Sequence, residues 1–180
     1  DDGRPDLLIN ALAQQRYALF RNTPQGFDYA SPATGVATLT RNHSGWGMRL
    51  ADMDNDGYKD IVVAQSHVMD NITLTQPAVP YKEPLLLLRR QGSRYVDATS
   101  NSGESFNKPR AARGAAFGDL NNDGSLDIVV SSQLEPAVVL QRMAGANHWL
   151  LVKLIGKASN RDGIGARIRI TTRQGTQYRT

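Results

Sequence analysis

Residues 52–60 read D-M-D-N-D-G-Y-K-D, and residues 119–127 read D-L-N-N-D-G-S-L-D. The chain opens on a broken copy, D-D-G-R-P-D, at residues 1–6. Each copy runs directly into a short apolar segment: Leu7-Leu8-Ile9, Ile61-Val62-Val63-Ala64 and Ile128-Val129-Val130. Carboxylates at alternate positions, then a glycine, then a last aspartate form a loop able to wrap a hard cation. Calcium takes six to eight oxygen ligands at about 2.3–2.6 Å, and such a loop supplies most of them. In the first complete copy the side-chain ligands are Asp52, Asp54, Asp56 and Asp60, joined by the main-chain carbonyl of Tyr58. In the second they are Asp119, Asn121, Asp123 and Asp127, joined by the carbonyl of Ser125. Gly57 and Gly124 stand where the loop turns sharply and are expected at positive φ.

The EF-hand is the nearest rival pattern, and it fails twice. Its loop needs a bidentate Glu at position twelve, where these copies hold Val63 and Val130. It also needs helices on both sides, and the flanks here are short and β-branched. A metal-free turn is the competing explanation, because Asp, Asn and Gly favour turns in any case. Two complete copies and a partial third, all leading into strand-like segments, weigh against it.

At 180 residues the chain has room for one or two domains. No run of about 18 apolar residues is present, so no membrane-spanning helix is expected. Cysteine is absent, so no disulfide framework reports on the compartment. The chain begins inside a motif, which leads to the expectation of a longer natural protein. The net charge is +4. Most acids sit in the three loops, whereas residues 142–180 carry Arg142, Lys153, Lys157, Arg161, Arg167, Arg169, Arg173 and Arg179 against Asp162 alone. That excess reads as the solvated face of strands such as A-R-I-R-I at 166–170. No aromatic platform accompanies it, and nucleic-acid binding is not expected.

Along the chain, strands are expected at 6–9, 17–21, 27–29, 45–51, 61–64, 85–89, 94–97, 113–118, 128–131 and 137–141. Residues 30–44, 65–84 and 98–111 read as loops. The unit is strand, aspartate loop, strand, turn, strand, turn, short strand. Fifty-four residues separate Asp6 from Asp60, and 67 separate Asp60 from Asp127. About four strands per period of this length is the signature of a β-propeller blade, whose neighbours must cover its faces. At Asn147 the pattern changes. Residues 148–156 read as one longer strand, 159–165 as a glycine-rich turn, and 166–172 and 176–179 as further strands.

Phe117-Gly118 followed by the aspartate loop and an apolar strand resembles the FG-GAP repeat of integrin α-type propellers and their bacterial relatives. The first complete copy departs from it, with Trp46-Gly47 and then 48–51 before the loop. N-H-W-L-L-V-K-L-I-G from Asn147, with S-N-R-D-G-I-G-A-R from Ser159, resembles the opening of the ASPIC/UnbV domain. Together these are the layout of cartilage acidic protein-like secreted proteins. The expected architecture is therefore all-β: a partial β-propeller of FG-GAP blades over 1–141, the first incomplete, then the N-terminal part of a β-sandwich-like ASPIC/UnbV domain over 142–180. The resemblance implies a secreted or periplasmic, non-enzymatic calcium-binding protein whose loops contact protein or glycan partners. The metal roles carry over to the loop residues named above. In the broken copy only Asp2, the carbonyl of Arg4 and Asp6 match, a partial metal site.

The runner-up readings are an accessory subunit of a large extracytoplasmic or filamentous assembly, and a non-catalytic part of a secreted polysaccharide- or lipid-active enzyme. His43, His67 and His148 lack zinc spacing, and no G-x-S-x-G occurs. Glu83, Glu104 and Glu135 lie in loops with no sign of the facing carboxylate pair that glycoside hydrolysis needs. Trp46 and Trp149 read as core residues beside strands.

Overall fold

The computed structural model describes every residue except Asp1, Ala144, Ser159, Gln174 and Thr180. It is an all-β arrangement with four antiparallel sheets among the described residues. The first holds β1 (Leu7–Ile9), β2 (Ala18–Thr23) and β3 (Gly26–Tyr29). The second holds β4 (Gly45–Ala51), β5 (Asp60–Gln65), β6 (Leu86–Gln91) and β7 (Arg94–Asp97). The third holds β8 (Ala112–Gly118), β9 (Asp127–Ser132) and β10 (Glu135–Leu140). A separate hairpin pairs β11 (Ile168–Thr172) with β12 (Gly175–Arg179). In every sheet consecutive strands are neighbours.

The aspartate loops place these sheets on one plan. A complete loop joins β4 to β5 and another joins β8 to β9, while the broken copy leads into β1. By that criterion β1–β3 correspond to β5–β7, and β8–β10 correspond to β4–β6. The register refines the repeat alignment. Leu50 pairs with Ile61 and Ala51 with Asp60, as Phe117 pairs with Ile128 and Gly118 with Asp127. The counterpart of Phe117-Gly118 is therefore Leu50-Ala51, not Trp46-Gly47. Both first strands also carry an irregularity near their starts, between Gly45 and Met48 and between Ala112 and Gly114.

The central sheet is apolar on both faces because it is covered on both. Successive strand residues point to opposite sides. Ile61, Val63, Leu86 and Leu88 join Tyr17, Leu19, Val36 and Tyr95 in one core. Val62, Ala64, Leu85 and Leu87 join Phe106, Ala112, Ile128 and Val130 in a second. That is why I-V-V-A and L-L-L-L are continuous apolar runs rather than alternating ones.

The expected loops contain short helices. In 30–44 lie α1 (Ser31–Thr34) and α2 (Val36–Leu39), and in 98–111 lies α3 (Glu104–Asn107). Pro32 suits the first turn of α1 because its missing N–H is an orphan there anyway. Gly35 ends it at φ 83°, donating its N–H to the Pro32 carbonyl. The long 65–84 connection is anchored rather than loose. Ile72 and Val79 are buried, and Glu83 exchanges backbone hydrogen bonds with Arg110 of the other long loop.

The strand expected at 148–156 belongs to no sheet. Leu150, Leu151 and Ile155 are 68%, 76% and 68% exposed. Strand propensity is realised only against a partner, and no described strand lies along this run. Its end instead folds back, with the Gly156 N–H donating to the Arg161 carbonyl at 2.9 Å. The 166–172 strand is found as β11.

The first strands of neighbouring sheets, β4 and β8, approach closely at Gly47. A Cβ placed there would lie 2.2 Å from the Ala115 backbone nitrogen, whereas one placed on Gly118 would meet nothing within 4 Å. Gly47→Ala is therefore expected to destabilise the fold by about 1–3 kcal/mol through overpacking. Gly118→Ala, at the regularly paired end of β8, stays within about 0.5 kcal/mol. Urea unfolding of the two variants beside the parent checks this, and equal losses would contradict the packing account.

Candidate metal centre

The local hydrogen bonds show how aspartates shape the loop. Asp52 accepts the Asp56 N–H at Oδ1 and the Gly57 N–H at Oδ2, both at 3.0 Å. Asp56 accepts the Tyr58 N–H at 2.8 Å. The second loop repeats this: Asp119 accepts from Asp123 and Gly124 at 3.0 and 2.9 Å, and Asp123 accepts from Ser125 at 2.8 Å. In the broken copy Asp2 accepts the Arg4 N–H at 3.0 Å. Gly57 and Gly124 lie at φ 94° and 81° as expected, and Asn55 and Asn122 also take positive φ, at 57° and 59°. Asn is one of the few side chains that tolerates this region.

The last aspartate of each loop is buried and works on the main chain. Asp60 is 2% exposed and Asp127 1%. Asp60 accepts the Met53 N–H at Oδ2 (3.3 Å) and the Arg90 N–H at Oδ1 (2.9 Å). Asp127 accepts those of Leu120 and Arg142, both at 3.0 Å. Asp6 accepts the Asn22 N–H at 2.9 Å.

In the first loop Asp52, Asp54 and Asp56 bring ligand oxygens within 4.8 Å of one another, a cluster able to hold a metal ion. Asp54 Oδ1 is buried with no hydrogen-bond partner among the described residues, and its Oδ2 lies 3.3 Å from Arg89. An oxygen of Asp52 lies 3.4 Å from Arg179. Burial, opposed by the Gly57 N–H and aided by Asp56 and Asp54, raises the Asp52 pKa. Burial likewise pushes Asp60 up to about 6, against its amide bonds. Three crowded carboxylates with one orphaned oxygen form the hard, all-oxygen donor set that suits a divalent cation such as calcium. Tyr58, whose carbonyl is the expected backbone ligand, is half exposed, with its ring 5.4 Å from the Arg90 guanidinium.

Among the expected side-chain ligands, the second loop differs by one residue. Asn121 stands where the first loop has Asp54, and its amide donates to Asp123 at 2.9 Å. This bond, with the Ser125 N–H, holds Asp123 below the usual carboxylate range. Ser125 is buried. The loop therefore meets much of its own hydrogen-bonding demand. The two loops touch, with Asn55 donating to the Gly124 carbonyl at 3.0 Å, and Asn147 donates to the Asp54 carbonyl at 2.9 Å. In the broken copy, the N–H of Arg4 and then its guanidinium lower the Asp2 pKa.

A family model described as an FG-GAP-like repeat matches residues 1–63. The matched span runs from the broken loop through the first sheet and α1–α2 to β5, and it includes the Asp52–Asp56 cluster. No curated protein matches the chain. No described helix is long and apolar enough to cross a membrane.

Two of the three histidines take other roles. His43 Nδ1 lies 2.9 Å from the buried Glu83 carboxylate, which also accepts the Ser44 N–H. His67 is buried, and its Nδ1 accepts the Met69 N–H. Trp46 donates its indole N–H to the Ser66 carbonyl, and the Arg113 guanidinium lies 4.6 Å above its ring. Trp149 is not core: it is 50% exposed and lies against Gly124 of the second loop. Sequence reasoning missed Arg89 and Arg179 as charges flanking the first loop. Arg89 ends the L-L-L-L-R run, a visible signal, but Arg179 arrives from 127 residues away.

In metal-free protein the Asp60 pKa of about 6 exceeds its unfolded value near 3.8. The folded state then holds the proton more tightly, so stability rises as pH falls through about 6 toward 4. In chelator the melting midpoint is expected to climb between pH 7.5 and 5 by several degrees. Asp60→Asn should lower the midpoint and flatten that rise. A midpoint that falls over the same interval in the parent would refute the assignment.

Proposed function

We propose that this chain is part of a secreted or periplasmic calcium-binding β-propeller protein that binds protein or glycan partners or serves as a scaffold, without catalysis of its own. The observation that carries the reading is the Asp52, Asp54 and Asp56 cluster with the orphaned, buried Asp54 oxygen. The FG-GAP-like match over residues 1–63 supports the propeller and the extracytoplasmic setting. Asp52, Asp54 and Asp56 hold the ion, with the Tyr58 carbonyl and Asp60 completing the set. Asp119, Asn121, Asp123, Asp127 and the Ser125 carbonyl form the second site, with one formal charge fewer. Asp2, the Arg4 carbonyl and Asp6 form a partial third. Calcium neutralises the crowded carboxylates and so fixes the β4–β5 turn. Residues 1–141 form the blades and 142–180 open an ASPIC/UnbV-type domain.

A second reading, an accessory subunit of a larger extracytoplasmic assembly, is favoured by one observation. The apolar run 149–155 lies exposed, with Leu150, Leu151 and Ile155 each more than two-thirds in solvent. Runs of this size seldom remain uncovered in an isolated protein.

Thermal melts in millimolar calcium and in chelator test the metal. A ligand at a hundred times its dissociation constant adds about 2.7 kcal/mol per site when only the folded state binds. A clear rise, smaller with magnesium, is expected. Asp54→Ala should remove most of the calcium-dependent part while changing the chelated midpoint little. Equal destabilisation in both conditions would sink the metal role.

A further inference from the structure

A cleft of about 250 Å³ opens between the first and second sheets. Its floor includes Leu19, Leu50 and Tyr95, and four cations line it: Arg4, Arg21, Lys59 and Arg90. The one acid among its described lining residues, Asp6, accepts the Asn22 N–H and acts on Lys59 through its charge. Arg4 is paired with Asp2. Among the described residues Arg21 and Lys59 have no carboxylate within salt-bridge distance. Lys59 is half-buried, its backbone carbonyl fixed by the Tyr95 hydroxyl at 3.2 Å.

Cations gathered around a partly apolar hollow create a positive potential that low-dielectric walls focus. An anion carried on a compact body satisfies both features. The volume lies below the usual range of drug-sized pockets and fits a single sugar-sized unit. We propose that this cleft binds a small sulfate or phosphate monoester, with the ester oxygens at Arg21 and Lys59 and the body against Leu19, Leu50 and Tyr95. The inference narrows the glycan reading above to an anionic unit but does not depend on metal binding.

Isothermal titration of the full 180-residue chain with glucose 6-sulfate, glucose 6-phosphate and glucose tests it, in calcium and in chelator. At least one ester is expected to bind, glucose is not, and the affinity should fall as salt is raised. The sulfate and phosphate arms identify the ester. Arg21→Gln and Lys59→Gln should each weaken binding about tenfold, the scale of a lost charge-assisted hydrogen bond. Lys59→Arg should retain it. Arg21 is exposed on β2, so its variant reports on binding even if Lys59→Gln perturbs the loop. Absence of heat from both esters, or unchanged affinity in Arg21→Gln, overturns the proposal. Ester binding without a calcium-dependent melt retires the metal alone, and a calcium-dependent melt without ester binding retires the cleft alone.

Discussion

A buried carboxylate that accepts two main-chain N–H groups closes each complete aspartate loop. Asp60 joins the loop at Met53 to the end of β6 at Arg90, and Asp127 joins Leu120 to Arg142. One side chain thus ties a turn and two strands that sequence alone leaves independent. Leaving such N–H groups unpaired in the interior costs about 1–3 kcal/mol each. The carboxylate avoids that cost, at the expense of its own desolvation, which is why burial outweighs the amide bonds in raising the Asp60 pKa. Asp6 makes the bond corresponding to those of Arg90 and Arg142, accepting the Asn22 N–H, but from an exposed position.

With the loops set this way, the packing of the sheets follows. The turn fixes the β4–β5 register, Leu50 with Ile61, and a shift of one residue would reverse both faces of β5. Both faces are occupied: Ile61 and Val63 face the first sheet, Val62 and Ala64 the third. Slippage therefore gains nothing in polarity and loses only shape. Register must come from the turn and its buried aspartate rather than from hydrophobic alternation. Gly47 supplies the remaining constraint, letting β4 approach the β8 backbone where any side chain would intrude.

Much of this was legible in residues 45–64 and 112–132, where an aspartate loop between two apolar segments predicts a hairpin and finds one. The short helices were not. Ser31 to Leu39 spans too few residues to show a helical period. What holds them is tertiary: Ser31 accepts the Leu19 N–H, and Thr40 accepts that of Tyr17. The run at 148–156 failed for the opposite reason. Its composition is that of a strand, but composition does not provide a partner, and Leu150 and Leu151 stay in solvent. In the candidate site, alternate carboxylates signalled the cluster correctly at Asp52, Asp54 and Asp56. Spacing could not show that Asp60, alike in the motif, also accepts two backbone N–H groups.

That distinction divides labour within the motif. The last aspartate serves the fold whether or not a cation arrives, because its partners are amides. The first three carry a charge problem that amides only partly relieve, since Asp54 keeps a buried oxygen unpartnered while Arg89 and Arg179 stand at the edge. Replacing one carboxylate by an amide is the cheaper solution, and the second loop shows it: Asn121 donates to Asp123 where a carboxylate would repel it. A loop of the first kind gains most from a divalent cation, and one of the second kind can stand as a turn. The two adjacent loops, linked by Asn55 and Gly124, therefore need not respond to metal equally, although their backbone bonds join the same loop positions at nearly the same lengths.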